Sequence, residues 1–400
     1  MGRPYKIKRH KQIYRRSTGS VVLRVLVIVV AIAALFALGW ALYAPVSNWI
    51  AQRQNQTPQQ TIGSSDEQQS QEEMVPGASQ TEEDLPQAEE QPVSSTSAMT
   101  AYLPPETVQD SAAFSSALTA AKDAGYDSIL IDLKTDDGTV TYSIQYNETT
   151  DARVTTTTPI DLASTVQQIR DAGLMPVASI HTFRDHLYPS VDHDAATWYL
   201  NSSSLWLDNS PDNGGRVWMN PFSDAAQNYI QKIVDDACNA GFEEIILQDV
   251  QFPEGYSLDM IDYSDHAGDD KHAFLQQYIA QMTEYAAGKG VELTALFPAT
   301  SMLGGESDMY FGDTTDLVSG TVAIDLRDSV FGTGLQNDQI SIPDPGADPY
   351  NTVRTAAAAL REKLPNTQII ALLDADGVAE RTEAAAQSDI VRYIVYSPTF

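Results

Sequence analysis

From residue 99 to the C-terminus the chain repeats one pattern: a short apolar run, a polar loop, then an amphipathic stretch. The apolar runs cover 100–103, 128–133, 175–181, 244–249, 292–297, 321–326, 368–373 and 391–396. Runs of this length, continuous rather than alternating, are the mark of strands buried on both faces of a parallel sheet. The stretches 108–124, 161–172, 224–240, 270–287, 349–364 and 380–387 read as helices. Gly125, Gly173, Gly241 and Gly290 follow four of them, where a left-handed residue closes a helix. Asp110, Asp161 and Asp224 stand near helix starts, where a carboxylate accepts from free amides. Eight strands alternating with helices predict an α/β fold of the (β/α)8 TIM-barrel class. An open doubly wound sheet is the alternative, but no glycine-rich dinucleotide fingerprint follows any strand.

The first quarter of the chain has a different character. Residues 1–24 hold eight Lys/Arg and no acid, which leaves 16 basic against 54 acidic groups in the rest. So acidic a body repels nucleic acid. Residues 25–44 form an uncharged, mostly apolar run of 20 residues, about the length that crosses a bilayer as a helix. Trp40, Tyr43 and Trp49 at its far end resemble an interfacial aromatic belt, and the basic flank marks the cytoplasmic side. Cleavage as a signal peptide is the rival reading, with small residues at Gly39 and Ala41, although the apolar run is long for one. Residues 51–98 carry nine acids, one arginine and no aromatic, too little apolar surface to offset the entropy of ordering. The expected organisation is a cytoplasmic head (1–19), a transmembrane helix (20–45), a disordered acidic linker (46–98) and an extracytoplasmic barrel (99–400). Cys238 is the single cysteine, so no intrachain disulfide is available.

In a barrel of this kind the chemistry belongs at the C-terminal ends of the strands. The second strand ends with Asp132 and Lys134, two apart and so expected on one face, where they would pair or contact a ligand hydroxyl. The next segment, DDGTVTYS at 136–143, reads as a hairpin. The third strand ends at His181, with Arg184 just beyond, and then enters a long loop holding Trp198, Trp206 and Trp218. Long loops in compact domains are usually functional, and flat aromatic faces suit sugar rings, so Trp206 and Trp218 are candidate sugar-stacking residues. The fourth strand supplies Gln248 and Asp249, followed by Glu254; the sixth ends at Asp325 and the seventh at Asp374. Carboxylates therefore gather at one end of the barrel. Glycoside hydrolysis uses two of them across the scissile bond, and crowding separates their pKa values so that one stays protonated.

No cofactor is implied. The group Asp262, Asp265, His266, Asp269, Asp270 and His272 matches neither an EF-hand nor a His-Glu-x-x-His zinc motif and reads as a solvated acidic loop. There is no G-x-S-x-G elbow and no Walker A loop.

Four segments resemble a known family. They are IDLKTDDG at 131–138, FRD at 183–185, WMNP at 218–221, and GFEEI at 241–245 with Phe252-Pro253. The family comprises uncharacterised bacterial cell-envelope TIM-barrel proteins of the glycoside hydrolase kind, distantly similar to α-amylase-type hydrolases. The resemblance runs from about residue 100 to the C-terminus and is clearest between 126 and 255. It implies carbohydrate chemistry at the barrel mouth, and of the strand-end carboxylates Asp249, Asp132 and Glu254 are the catalytic candidates. Lys134, His181, Arg184, Trp206, Trp218, Asn220, Gln248, Asp325 and Asp374 become substrate-binding candidates. The expected partners are a cell-wall glycan or other polysaccharide and, through the N-terminal helix, the membrane. No nucleic acid and no obligate protein partner is inferred.

One departure stands out. The family's fourth strand reads Q-F-D-Y-V-R-F-P, whereas this chain has Gln248 at the Asp position, Asp249 at the Tyr position and Gln251 at the Arg position. A one-residue slip turns a side chain to the opposite face of a strand. Either a backbone irregularity restores the carboxylate or the barrel binds glycan without cleaving it.

Overall fold

The computed structural model describes residues 98–304 and 308–396. The expected cytoplasmic head, transmembrane helix and linker (up to residue 97) lie outside the described residues. Among the described residues no helix is long and apolar enough to cross a membrane.

All eight expected strands are present: β1 (Ala98–Leu103), β2 (Ser128–Lys134), β3 (Met175–His181), β4 (Glu244–Gln248), β5 (Glu292–Pro298), β6 (Thr321–Asp325), β7 (Gln368–Asp374) and β8 (Arg392–Tyr396). Each pairs in parallel with the next, and β8 pairs back onto β1, so the sheet closes as a TIM barrel. The long helices are α1 (Ser111–Asp123), α2 (Leu162–Asp171), α3 (Asp224–Ala240), α4 (Lys271–Ala287), α5 (Pro349–Lys363) and α6 (Val378–Ala386).

Local chemistry sets the boundaries. Gly125, Gly173, Gly241 and Gly290 all take positive φ at helix ends. After each, the following amide reaches back to a carbonyl five residues earlier, as in Tyr126 N to Ala121 O. The helix expected over 108–124 is interrupted at Asp110, whose backbone is extended while its carboxylate accepts from Ala112 N and Ala113 N. The short helix Pro105–Gln109 precedes that break. Asp161 caps α2 as expected, but α3 is capped by Ser223, one residue before Asp224.

Two apolar layers follow from the period of two along each strand. In β2, Ile129, Ile131 and Leu133 face the helices and join the outer core with Phe114 and Leu118. Leu130 faces inward and meets Tyr102, Val177, Ile246, Leu296 and Ile394 in the barrel's interior. The next inward position on β2 is Asp132, and on β4 it is Gln248. The alternation that fills the barrel thus delivers polar side chains to its C-terminal mouth.

Candidate active site

A cavity of about 460 Å³ opens at that mouth. Its lining includes Asp132, Asp136, His181, Arg184, Gln248, Asp249, Glu254 and Asp325, together with Tyr102, Tyr310, Arg327 and Tyr396. All three candidate catalytic carboxylates therefore share one cavity, as do four of the nine candidate binding residues.

The key pair is His181 and Asp249, whose Nδ1 and Oδ2 lie 2.5 Å apart. β4 ends at Gln248, and Asp249 itself has a φ of 52°. Aspartate tolerates this left-handed conformation better than most residues. Thr182 holds the kink: its amide donates to Gln248 O (2.9 Å), and its hydroxyl donates to Asp249 O (2.6 Å). The kink cancels the alternation, so Gln248 and Asp249 both line the cavity. The shifted motif thus coincides with a backbone irregularity, and Asp249 faces the cavity. Gln248 donates to Ser179 Oγ at 2.7 Å.

Asp132 is buried, and its Oδ2 accepts from the Tyr102 hydroxyl at 2.7 Å. Its Oδ1 has no hydrogen-bond partner among the described residues. Burial lifts its pKa above the usual aspartate value, outweighing the lowering by His181 and by the Ser179 and Tyr102 hydroxyls. Asp249 moves the other way: burial raises its pKa, but His181 outweighs burial and holds it below the usual value. His181 itself is raised, the Asp249 carboxylate overcoming the cost of burying an imidazolium. Two aspartates in one cavity with opposed shifts are the arrangement that lets one carboxyl donate a proton while the other remains an anion.

Glu254 is half-buried at the cavity wall beyond β4. Asp325 lines the cavity but is engaged by Arg327, whose Nε and Nη2 contact both carboxylate oxygens at 2.6–3.1 Å. The Arg327 guanidinium lies 4.2 Å from the Tyr396 ring, which stacks on Tyr102 at 4.5 Å. Tyr102, Arg327 and Tyr396 were missed in the sequence. The rule that singled out Asp325 and Asp374 would have found the two tyrosines, because they end or nearly end β1 and β8.

Five candidate binding residues require correction or a narrower role. Lys134 is fully buried and does not line the cavity. The β2–β3 register shifts between Asp132 and Lys134, so the two do not share a face. The Lys134 ammonium instead donates to His181 O (2.7 Å) and Thr182 O (3.2 Å) and pairs with Asp185 at 3.0 Å. Trp206 and Trp218 are also buried, 0% and 1% exposed. Their indole N–H groups donate within the loop region, to Ser257 O and Asp208 Oδ2 respectively. They are the core of the long loop, not a sugar platform. Asn220 shapes the turn into α3, its Oδ1 accepting from Phe222 N. Asp374 stands outside the cavity lining, accepting from Asp328 N at 2.9 Å with Arg381 3.7 Å away.

The expected hairpin is present, with Val140–Tyr142 antiparallel to β2 and Thr135 N bonded to Thr139 O. It turns through Gly138 at a φ of 100°, where a Cβ would come within 2.2 Å of Asp185 Oδ1. Lys134, Gly138 and Asp185 of the family-like segments therefore meet beneath the cavity. They anchor the end of β3, from which His181 projects.

Among solved structures, the glycoside hydrolase domain of PgaB (BpsB) from Bordetella bronchiseptica is 14% identical, with a TM-score of 0.54 over 75% of this chain and 93% of that one. A hypothetical protein from Ruminiclostridium thermocellum is 21% identical, with a TM-score of 0.42 over 48% and 95%. The catalytic domain of β-amylase from Paenibacillus polymyxa is 10% identical, with a TM-score of 0.48 over 76% and 93%. The first supports the barrel fold. No curated protein matches the chain at a significant level. Residues 100–372 match a family model described as "Putative glycosyl hydrolase domain", and the chain belongs to that glycosyl hydrolase-like family.

Proposed function

We propose that this protein is a glycoside hydrolase acting on a cell-envelope or extracellular polysaccharide by carboxylate acid/base chemistry. The observation that carries the reading is the opposed tuning of Asp132 and Asp249 inside one cavity at the mouth of a barrel of this family. Asp132, whose pKa burial raises, gives its proton to the departing glycosidic oxygen. Asp249, kept ionised by His181, stabilises or attacks the positive anomeric centre. Glu254 is a further carboxylate that faces the same space. A non-catalytic glycan-binding barrel is the second reading, and the observation favouring it is Gln248 at the family's Asp position on strand four.

One experiment separates the two. The purified full chain is incubated with bacterial cell-wall polysaccharide and the release of reducing ends is followed for wild type, Asp132→Asn and Asp249→Asn. Hydrolysis by the wild type alone supports catalysis. Polysaccharide binding with no release by any of the three sinks it.

The proposal extends to location. The eight basic residues before the apolar run hold the N-terminus in the cytoplasm. The run spans the membrane, and the acidic segment up to residue 98 is a self-repelling tether for the barrel outside. Protease added to intact cells then removes the barrel; a barrel that resists until lysis reverses the orientation.

A further inference from the structure

A second cavity, also about 460 Å³, lies beside the mouth and takes no part in the chemistry above. Its walls are Pro253, Leu258, Asp259, Tyr263, Lys271, Asp308, Phe311 and Gly312. The two cavities share a partition. Gln251 and Glu254 face the mouth while Pro253 between them faces the second cavity, and Met309 and Tyr310 face the mouth while Phe311 and Gly312 face the second. The two partition segments are tied together by the Phe252 amide, which donates to Met309 O at 3.0 Å.

The second cavity is built rather than incidental. Phe311 has a φ of 55°, a backbone state that bulky residues rarely adopt, and its ring is 50% exposed. Strained, exposed residues of this sort cluster at ligand clamps. The strain is held in place from below. Tyr310 O bonds His272 Nδ1 at 2.9 Å, and Gly312 sits so close to the His272 ring that a Cβ would lie 2.5 Å from it. The same helix, α4, begins with Lys271, whose ammonium lies 4.6 Å from the ring centroids of both Tyr263 and Phe311. Asp259 and Asp308 share the cavity walls with that ammonium.

We propose that this cavity is an accessory saccharide subsite, taking a pyranose unit farther along the polysaccharide chain that enters the mouth. The inference rests on the carbohydrate reading above. A pyranose presents an apolar face to a half-exposed aromatic ring, hydroxyl oxygens to an ammonium and hydroxyl protons to carboxylates. Phe311, Lys271, and Asp259 with Asp308 supply those three partners. A small free anion would meet two carboxylates beside the one ammonium, and a purely apolar ligand would strand all three charges.

The test uses the full chain and the hexasaccharides and disaccharides of cellulose, chitin and β-1,4-mannan, with binding measured by calorimetry. Phe311→Ala and Lys271→Met should each weaken hexasaccharide binding about ten-fold, while leaving disaccharide binding at the mouth unchanged. Phe311 is half exposed, so its truncation should spare folding, which the melting temperature checks. Hexasaccharide affinity equal to wild type in both variants overturns the inference, as does an equal loss for disaccharides, or no binding of any of the six sugars. Cleavage by the wild type with unaltered variants would remove the subsite and leave the catalytic reading standing. Weakened hexasaccharide binding without cleavage by any form would do the reverse.

Discussion

The two ends of the barrel handle buried carboxylates in opposite ways. At the N-terminal end, Glu244 and Arg392 begin β4 and β8 and meet inside the barrel, with Arg392 Nη2 2.8 and 3.0 Å from the two Glu244 oxygens. Glu292, at the start of β5, adds a second carboxylate 3.7 Å from the same guanidinium. At the mouth, Asp132 has one oxygen bonded and one without a partner, and Asp249 pairs with a histidine that can lose its charge. Burial raises the pKa of both Glu244 and Asp132. Only Glu244 has both oxygens matched by a cation that stays charged at every working pH. The lower end closes the barrel; the upper end keeps its protons exchangeable. In a TIM barrel that division separates stability from chemistry.

The sharpest way to break the comparison is through pH. If Asp249 works ionised and Asp132 works protonated, kcat/KM rises as pH climbs through the lowered Asp249 pKa. It falls again as pH climbs through the raised Asp132 pKa. The two limbs should bracket the ordinary aspartate value of 3.8. Asp132→Asn should cost about 10²–10⁴-fold in turnover, the usual range for a positioned acid. Activity that is flat across both limbs, or that survives in both Asn variants, would show the mouth to be no more reactive than the lower end.

Lys134 marks a boundary within the mouth itself. It was expected to contact substrate, but it lies below the cavity in a buried pair with Asp185. Lys134→Met leaves Asp185 buried without its cation and should cost about 3–5 kcal/mol of stability in denaturant titrations. An unchanged stability with lost affinity for saccharide would return Lys134 to the site.

These cases show what was legible in the chain and what was not. Each strand lies within two residues of its expected bounds, because continuous apolar runs and glycine caps are local signals. Asp132, His181 and Asp249 converge because strand ends in a closed barrel must face one mouth. The misassigned residues depend on non-local facts. A register shift on the β2–β3 ladder turns Lys134 away. Bridges such as Leu207 to Val217 fold the long loop on itself and bury its tryptophans. Asp374 was correctly placed at a strand end, but the neighbouring Asp328 amide and Arg381 draw it aside. The left-handed Asp249 was half legible: the shifted motif demanded an irregularity without saying of what kind.

Arg392→Met tests the lower end. It leaves Glu244 buried without its cation and should cost about 1–3 kcal/mol while leaving turnover unchanged. The sign with pH follows from the raised Glu244 pKa. The folded state then holds that proton more tightly than the unfolded chain, so stability falls as pH rises from the ordinary glutamate value of 4.5 through the folded-state pKa. Losing Arg392 raises that pKa further, so the variant's deficit should shrink on acidification. A deficit that grows in acid, or a loss of turnover with stability intact, would mean that the two ends are coupled.

The smallest expected effect falls on the long loop. Trp206 is wholly enclosed, and its one polar atom donates to Ser257 O at 3.3 Å, fastening the loop after β3 to the segment that follows β4. Trp206→Phe keeps an aromatic ring in the loop core and removes that hydrogen bond, so the loss should be about 1 kcal/mol. Saccharide affinity should not move, because the indole reaches neither cavity. Thermal melts and binding titrations on the same sample distinguish the two roles. Lower affinity at unchanged melting temperature would mean that the loop opens to present Trp206 to the sugar, and the mouth would then extend well beyond the strand ends that now define it.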